Sequence, residues 1–253
     1  MTDAAYRTLL VERTDDRHVV TVVLNRPEQM NAMTTGMGED LLACFDALAR
    51  DADARAAFER ALELDPASAR ANAGLAALRA KAGDTKAAIE LFDRAYQLEP
   101  LEDDYSYAAA QLVLESGDDD AAAVRLREIV RHHPAAVGAR NDLAWLLAQR
   151  GEELDFALAL AVEAQRRDSS PTVFDTLGWV HYQRGEYADA VTALEAALAR
   201  QSSSPSIRYR LGRALQQAGN PERAREMLQA AVAAGNFPEA EDARRHLAQL
   251  TGG

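Results

Sequence analysis

The chain has 253 residues and a formal net charge of -12, from 40 acidic and 28 basic side chains. A chain this acidic, with no basic block, lacks the phosphate-neutralising charge that nucleic acid binding rests on, and it suits an anionic membrane surface no better. Cys44 is the only cysteine, so neither an intrachain disulfide nor a cysteine-based metal cluster can form.

No stretch approaches the roughly 18 uninterrupted apolar residues of a membrane span. The opening MTDAAYRTLLVERTDD has no apolar run behind a basic head, which predicts no signal peptide and a cytoplasmic protein. Two β-like runs come first, over residues 8–13 and 18–25. The second, HVVTVVLN, is dense in β-branched residues and stops at Arg26-Pro27, where a ladder loses its donor. The spacing then predicts an amphipathic helix over 35–50, with Leu41, Leu42, Phe45 and Leu48 on one face. Residues 1–33 are expected to form at most a two-stranded hairpin, because an isolated hairpin is marginal in water.

From residue 53 onward every segment reads as helix or short turn, and the text repeats. Gly83, Gly117, Gly151, Gly185 and Gly219 stand 34 residues apart, and Pro66, Pro100 and Pro134 keep the same step. So do Phe58 and Phe92, Leu143, Leu177 and Leu211, and the pair Gly178 and Gly212. Each lattice glycine ends one helix where a left-handed residue is needed, and the Asp, Glu or Asn after it can cap the next. Ala88, Ala122, Ala190 and Ala224 sit early in each second helix, where small side chains let antiparallel helices approach. One irregularity interrupts the pattern. An extra residue sits in GEELDFALALA and the turn RRDSSP is recut, so Pro134 to Pro171 spans 37 residues while Gly151 to Gly185 still spans 34. These read as loop-level edits that keep the stacking in phase. The segment 238–250 predicts a terminal amphipathic helix covering the open end of the stack.

The 34-residue period, the helix-turn-helix unit and the string DTLGWVHYQRGEYADAVTALEAALA resemble the tetratricopeptide repeat (TPR) family over residues 53–234. NDLAWLLAQRGEELDFALALAVEAQ with DTLGWVHYQRGEYADA is further similar to bacterial TPR proteins linked to export and envelope assembly. The resemblance implies an all-α solenoid over 52–253, a right-handed superhelix of about five helix pairs with a capping helix. It also implies a protein-interaction scaffold that binds a partner peptide or protein in a concave groove lined by the first helix of each pair. Laid on that lattice, Trp145 and Trp179 share one row, and Tyr107, Asn141, Asp175 and Tyr209 form a second row one turn earlier. Gln111, Gln149, Tyr182 and Arg213 complete a candidate groove of aromatic and polar character. An alternative is that the tryptophans only pack between repeats. With two lysines in all, Lys81 and Lys86, the chain does not match the clamp by which some TPR domains hold acidic chaperone tails.

The strand HVVTVVLNRP, then Glu28–Asn31, Ala32 and the helix MGEDLLACFDALARD, give residues 1–51 a likeness: they resemble the start of the crotonase (enoyl-CoA hydratase/isomerase) superfamily. That family's oxyanion hole lies in later glycine-containing segments. Here the chain runs into DADARAAFERALELDP, which is already repeat helix, so Glu28, Glu39 and Asp40 stand without it. The expectation is a chimera joined near 50–53 with no catalysis and no cofactor. An acyl-CoA hydratase or isomerase and a non-functional hybrid product are the alternatives. His132-His133 closes a helix, where a cationic side chain is favoured, and no metal site is expected there or at the isolated His18, His181 and His246.

Overall fold

The computed structural model describes residues 9–13, 20–24 and 52–251. Strands β1 (Leu9–Arg13) and β2 (Val20–Leu24) pair antiparallel, with Leu9 opposite Leu24 and Arg13 opposite Val20. The helix expected over 35–50, with Cys44, and the acids Glu28, Glu39 and Asp40 lie outside the described residues.

The rest is helical, and the chain divides into two units, Met1–Gly117 and Asp118–Gly253. The first carries α1 (Ala52–Leu64), α2 (Ala69–Lys81), α3 (Thr85–Leu98) and α4 (Asp103–Glu115). Its core is built largely of alanine. Ala76, Ala88, Ala95, Ala109 and Ala110 are fully buried, and the ring of Phe58 fills the space where a Cβ on Gly74 would stand.

The second unit opens with α5 (Asp119–His132). Three antiparallel pairs follow: α6 (Val137–Arg150) with α7 (Leu154–Arg167), α8 (Pro171–Gln183) with α9 (Tyr187–Arg200), and α10 (Pro205–Gln217) with α11 (Pro221–Ala233). Helix α12 (Ala240–Thr251) closes it. Ala190, Leu194, Leu211, Ala214, Leu215 and Ala224 knit α9, α10 and α11 into one core. Tyr209, Leu228, Ala231, Phe237, Ala240 and Ala243 seat α12 on the last pair. Among the described residues no helix is long and apolar enough to cross a membrane.

The lattice positions do what their chemistry suggests. All five lattice glycines have positive φ, between 67 and 82°. Asp84, Asp118 and Asn220 accept a hydrogen bond from the third residue onward and cap α3, α5 and α11. The glutamates differ. Glu186 makes no such bond and instead reaches back to His181 Nδ1 and Arg184 Nε. The extra residue of GEELDFALALA is absorbed at Glu153, which takes φ 44° at the start of α7 and pairs with Arg127. Helix α7 therefore starts one residue late, and Ala157 rather than Phe156 is buried at the small-residue position.

Candidate peptide-binding surface

Helices α6, α8 and α10 are the first members of the three pairs, and α6 packs on α8 as well as on α7. Their shared face carries most of the residues singled out by the repeat lattice. Trp145 on α6 and Trp179 on α8 lie with ring centroids 6.4 Å apart. Tyr182, one turn past Trp179, stacks on it at 4.8 Å with the planes 4° from parallel, and Tyr187 meets Tyr182 edge-on at 5.6 Å. Stacked and edge-on pairs at these separations are the favourable geometries for aromatic quadrupoles.

Arginines of α10 tie this ladder to the last pair. Arg213 donates from Nη1 to Tyr209 Oη at 2.8 Å and from Nη2 to Tyr182 Oη at 2.7 Å. Arg210 lies over the Trp145 ring, 4.9 Å from its centroid. It holds the carboxylate of Asp175 with two hydrogen bonds and pairs with Glu239 as well. Burial pushes the Asp175 carboxyl up from its usual range, against the pull of Arg210. Burial likewise works against the charge on Arg210, but its bonds to Asp175 and Glu239 outweigh that and raise its pKa.

The candidate residues divide by exposure. Asp175, Trp179, Tyr209 and Asn141 are buried; Trp145, Tyr182 and Arg213 are half-buried; Gln149 is exposed. Asn141 Nδ2 reaches the neighbouring Asp142, while its Oδ1 is buried without a partner. Tyr107 and Gln111 lie on α4 in the first unit, half-buried and exposed respectively. The repeat lattice picked out the aromatic rows and the Tyr209–Arg213 pair. It missed Arg210, Glu239, Tyr187 and His246, which join the cluster through pairings 29 and 35 residues apart for Arg210 and through ring contacts for the other two.

His181, taken singly in the sequence, has company. Its Nδ1 lies 2.7 Å from Glu186 Oε2, and donor atoms of His181, Glu186 and Asp189 fall within 4.8 Å of one another. Arg184 Nε also donates to Glu186 at 2.9 Å. The bonds to His181 and Arg184 hold the Glu186 carboxyl below its usual range. A guanidinium bound to the central carboxylate suits a helix-end ion-pair network better than a cation site.

Comparison with known proteins places the repeats. One family model, described as a tetratricopeptide repeat, matches residues 47–103, 176–235 and 209–250, and a second of the same description matches 79–135. Neither reaches residues 1–46, so the crotonase likeness rests on the opening residues alone. No curated protein sequence matches the chain. Among solved structures, YrrB, described as a TPR protein with an unusual peptide-binding site, is 18% identical with a TM-score of 0.60, over 74% of this chain and 97% of that one. TTC0263, a TPR protein of Thermus thermophilus, is 23% identical with a TM-score of 0.53, over 72% and 98%. PilW, a type IV pilus biogenesis factor, is 18% identical with a TM-score of 0.63, over 73% and 86%. At these identities the likeness is one of fold. Antiparallel helix pairs on a 34-residue lattice, and family matches over more than half its length, show that the chain belongs to the tetratricopeptide repeat family.

Proposed function

We propose that the chain is a non-catalytic protein-interaction scaffold, and that α6, α8 and α10 receive an extended segment of its partner. The aromatic ladder Trp145–Trp179–Tyr182, continued by Arg213 and Tyr209, is the observation that carries this reading. Tryptophan, tyrosine and arginine dominate the energetics of protein interfaces, because they bury large rigid area and still offer hydrogen bonds. The similar fold of YrrB, described as having a peptide-binding site, supports the same use of the fold. Burial sorts the roles. Trp179 and Asp175 support the surface from beneath, while Trp145, Tyr182, Arg213 and Gln149 have area to offer a ligand. The net charge of -12 favours a protein partner over nucleic acid, and a single cysteine is in keeping with a reducing, cytoplasmic setting.

Partner capture on the immobilised full chain, identification by mass spectrometry and reconstitution with the purified partner test the reading. Trp145→Ala and Tyr182→Ala should each weaken the purified complex by about tenfold or more, as loss of central aromatic anchors does. Arg127→Ala on α5 should leave it unchanged. Equal affinity for all of these variants would sink the surface. Crotonyl-CoA hydration by the purified chain should stay at background; turnover that survives purification would instead favour the acyl-CoA reading of the opening.

A further inference from the structure

The second helices of the repeat, α1, α3, α5, α7 and α9, end on residues of two kinds. In the first unit the last residue is leucine, Leu64 on α1 and Leu98 on α3. In the second unit it is cationic, His132 on α5, Arg167 on α7 and Arg200 on α9. A cation there is favoured by the partial negative charge of a helix C-terminus. The leucines forgo that gain, and neither α1 nor α3 has a basic residue anywhere in its last turn.

The leucines do not gain by burial instead. Leu64 is 73% exposed, Leu98 36%, and Leu101, in the turn after α3, 90%. Glu99, Glu102, Asp103 and Asp104 flank Leu101 in sequence. They crowd one neighbourhood: after burial itself, Glu99, Glu102 and Asp104 all push the Tyr105 phenol up, with Arg70 opposing. Among the described residues none of the four acids forms an ion pair. Asp103 and Asp104 have a local reason to be there, the first turn of α4. Leu101 has none.

The second unit offers the opposite surface. Arg166 and Arg167 share the carboxylate of Glu163, and Arg131 shares Glu128 with His132. Arg200 and Arg208 donate to the backbone carbonyls of Ala196 and Ser202 and, among the described residues, pair with no carboxylate. Positive charge is therefore in surplus at these helix ends, carried on long aliphatic stems.

We propose that the chain associates with a second copy of itself through unlike ends, the leucine-and-acid end of α3 in one copy docking on the arginine-bearing ends of α7 and α9 in the other. Leu98 and Leu101 lie along the arginine stems, and Glu99 and Glu102 meet the guanidinium heads. Acid against acid or arginine against arginine would repel, so only unlike ends join. Such a contact either closes reciprocally as a two-fold dimer or runs on as an open chain. Exposed charges attract over only about 10 Å at 0.1 M salt, so the association weakens as salt rises.

Sedimentation velocity of the full chain tests the contact. At about 20 mM salt the mass should rise with concentration, and at about 500 mM the rise should need about tenfold more protein. Glu99→Arg with Glu102→Arg in one chain, and Arg167→Glu with Arg200→Glu in another, should each abolish the rise. Mixed in equal amounts the two variants should recover it, because every end again meets its opposite. Two reversals move the net charge of -12 by four either way, so both variants stay acidic and have no indiscriminate attraction for each other. Leu101→Ser alters no charge and should shift the wild-type rise to about tenfold higher concentration, the effect of losing roughly one buried leucine contact. Helical circular dichroism checks that each variant folds. A chain that stays monomeric at low salt, a rise that survives both reversals, or mixed variants that remain apart would each overturn the contact.

Discussion

Arg210 and Asp175, 35 residues apart in sequence, grip each other through Nε to Oδ1 at 2.8 Å and Nη2 to Oδ2 at 2.6 Å, on two side chains nearly closed to water. The pair is not symmetric, because Arg210 has Glu239 as a second partner. Arg210→Ala strands the Asp175 carboxylate and should cost about 3–5 kcal/mol, the usual toll for half of a buried ion pair. Asp175→Ala leaves Arg210 paired with Glu239 and should cost less. The double variant should fall short of the sum of the two. Urea titrations followed by helical circular dichroism measure all three, and a costlier Asp175→Ala would contradict the geometry.

At Gly178 helix α8 lies close against Leu194 of α9. A Cβ added there would stand 2.6 Å from Leu194 Cγ and 3.2 Å from the Leu194 backbone nitrogen. Gly178→Ala should therefore cost about 1–3 kcal/mol through overpacking. Shortening the facing residue should return part of that, so Gly178→Ala with Leu194→Ala should be less than additive. Gly185→Ala is the contrast. Nothing lies within 4 Å of its added Cβ, but its φ is +79°. The penalty there, about 1–2 kcal/mol, is backbone strain that no truncation at Leu194 relieves.

The two tryptophans should answer a quencher differently. Trp179 is 8% exposed, whereas Trp145 is half-buried. In Trp145→Phe the remaining indole should resist acrylamide and emit at shorter wavelength. In Trp179→Phe the remaining indole should quench more readily. The reverse order of Stern–Volmer slopes would mean that the ladder is turned the other way round.

His246 gives the last helix a pH dependence of known sign. Burial and the nearby Arg213 and Arg245 depress its pKa, and Asp242 opposes them only in part. A depressed imidazole pKa means that the folded chain resists the proton. Its stabilising contribution is therefore present above the ordinary imidazole value and is lost as pH falls through the folded one. Between pH 7.5 and 5 the melting midpoint of the wild type should drop further than that of His246→Gln. Equal drops would show that His246 takes up its proton freely in the folded state.

The repeat was legible because each lattice position answers to a local need. A helix that must end in a left-handed residue takes glycine, and a second helix that must lie close takes alanine. Those needs recur every 34 residues and leave a readable trace. The caps were only partly legible. Aspartate and asparagine at positions 84, 118 and 220 reach the free amides, but the extra methylene of glutamate turns Glu186 toward His181 and Arg184. Arg210 was illegible, since nothing in the text of α10 distinguishes an arginine destined for a buried carboxylate from Arg213, which meets only tyrosines. That difference is made by Asp175 and Glu239, 35 and 29 residues away.

The late start of α7 bears on how this array can be cut and rejoined. Its turn gains a residue before the helix, at Glu153, and the turn after it is one residue shorter, so α8 resumes the common register at Pro171. Within α7 the side chains that do a given job carry numbers one higher than the lattice assigns. Ala157 stands for Ala190, and Ala161 takes the place that Leu194 holds beside Gly178, with Ala144 where that glycine would be. The two repeats thus divide similar volume differently, glycine with leucine in one and alanine with alanine in the other. An engineer exchanging α7 for α9 by counting in 34s would put Glu195 rather than Leu194 at position 161 and turn the wrong side chains inward, whereas counting in 33s restores the phase but sets leucine against Ala144. Moving both helices of the pair together avoids the collision.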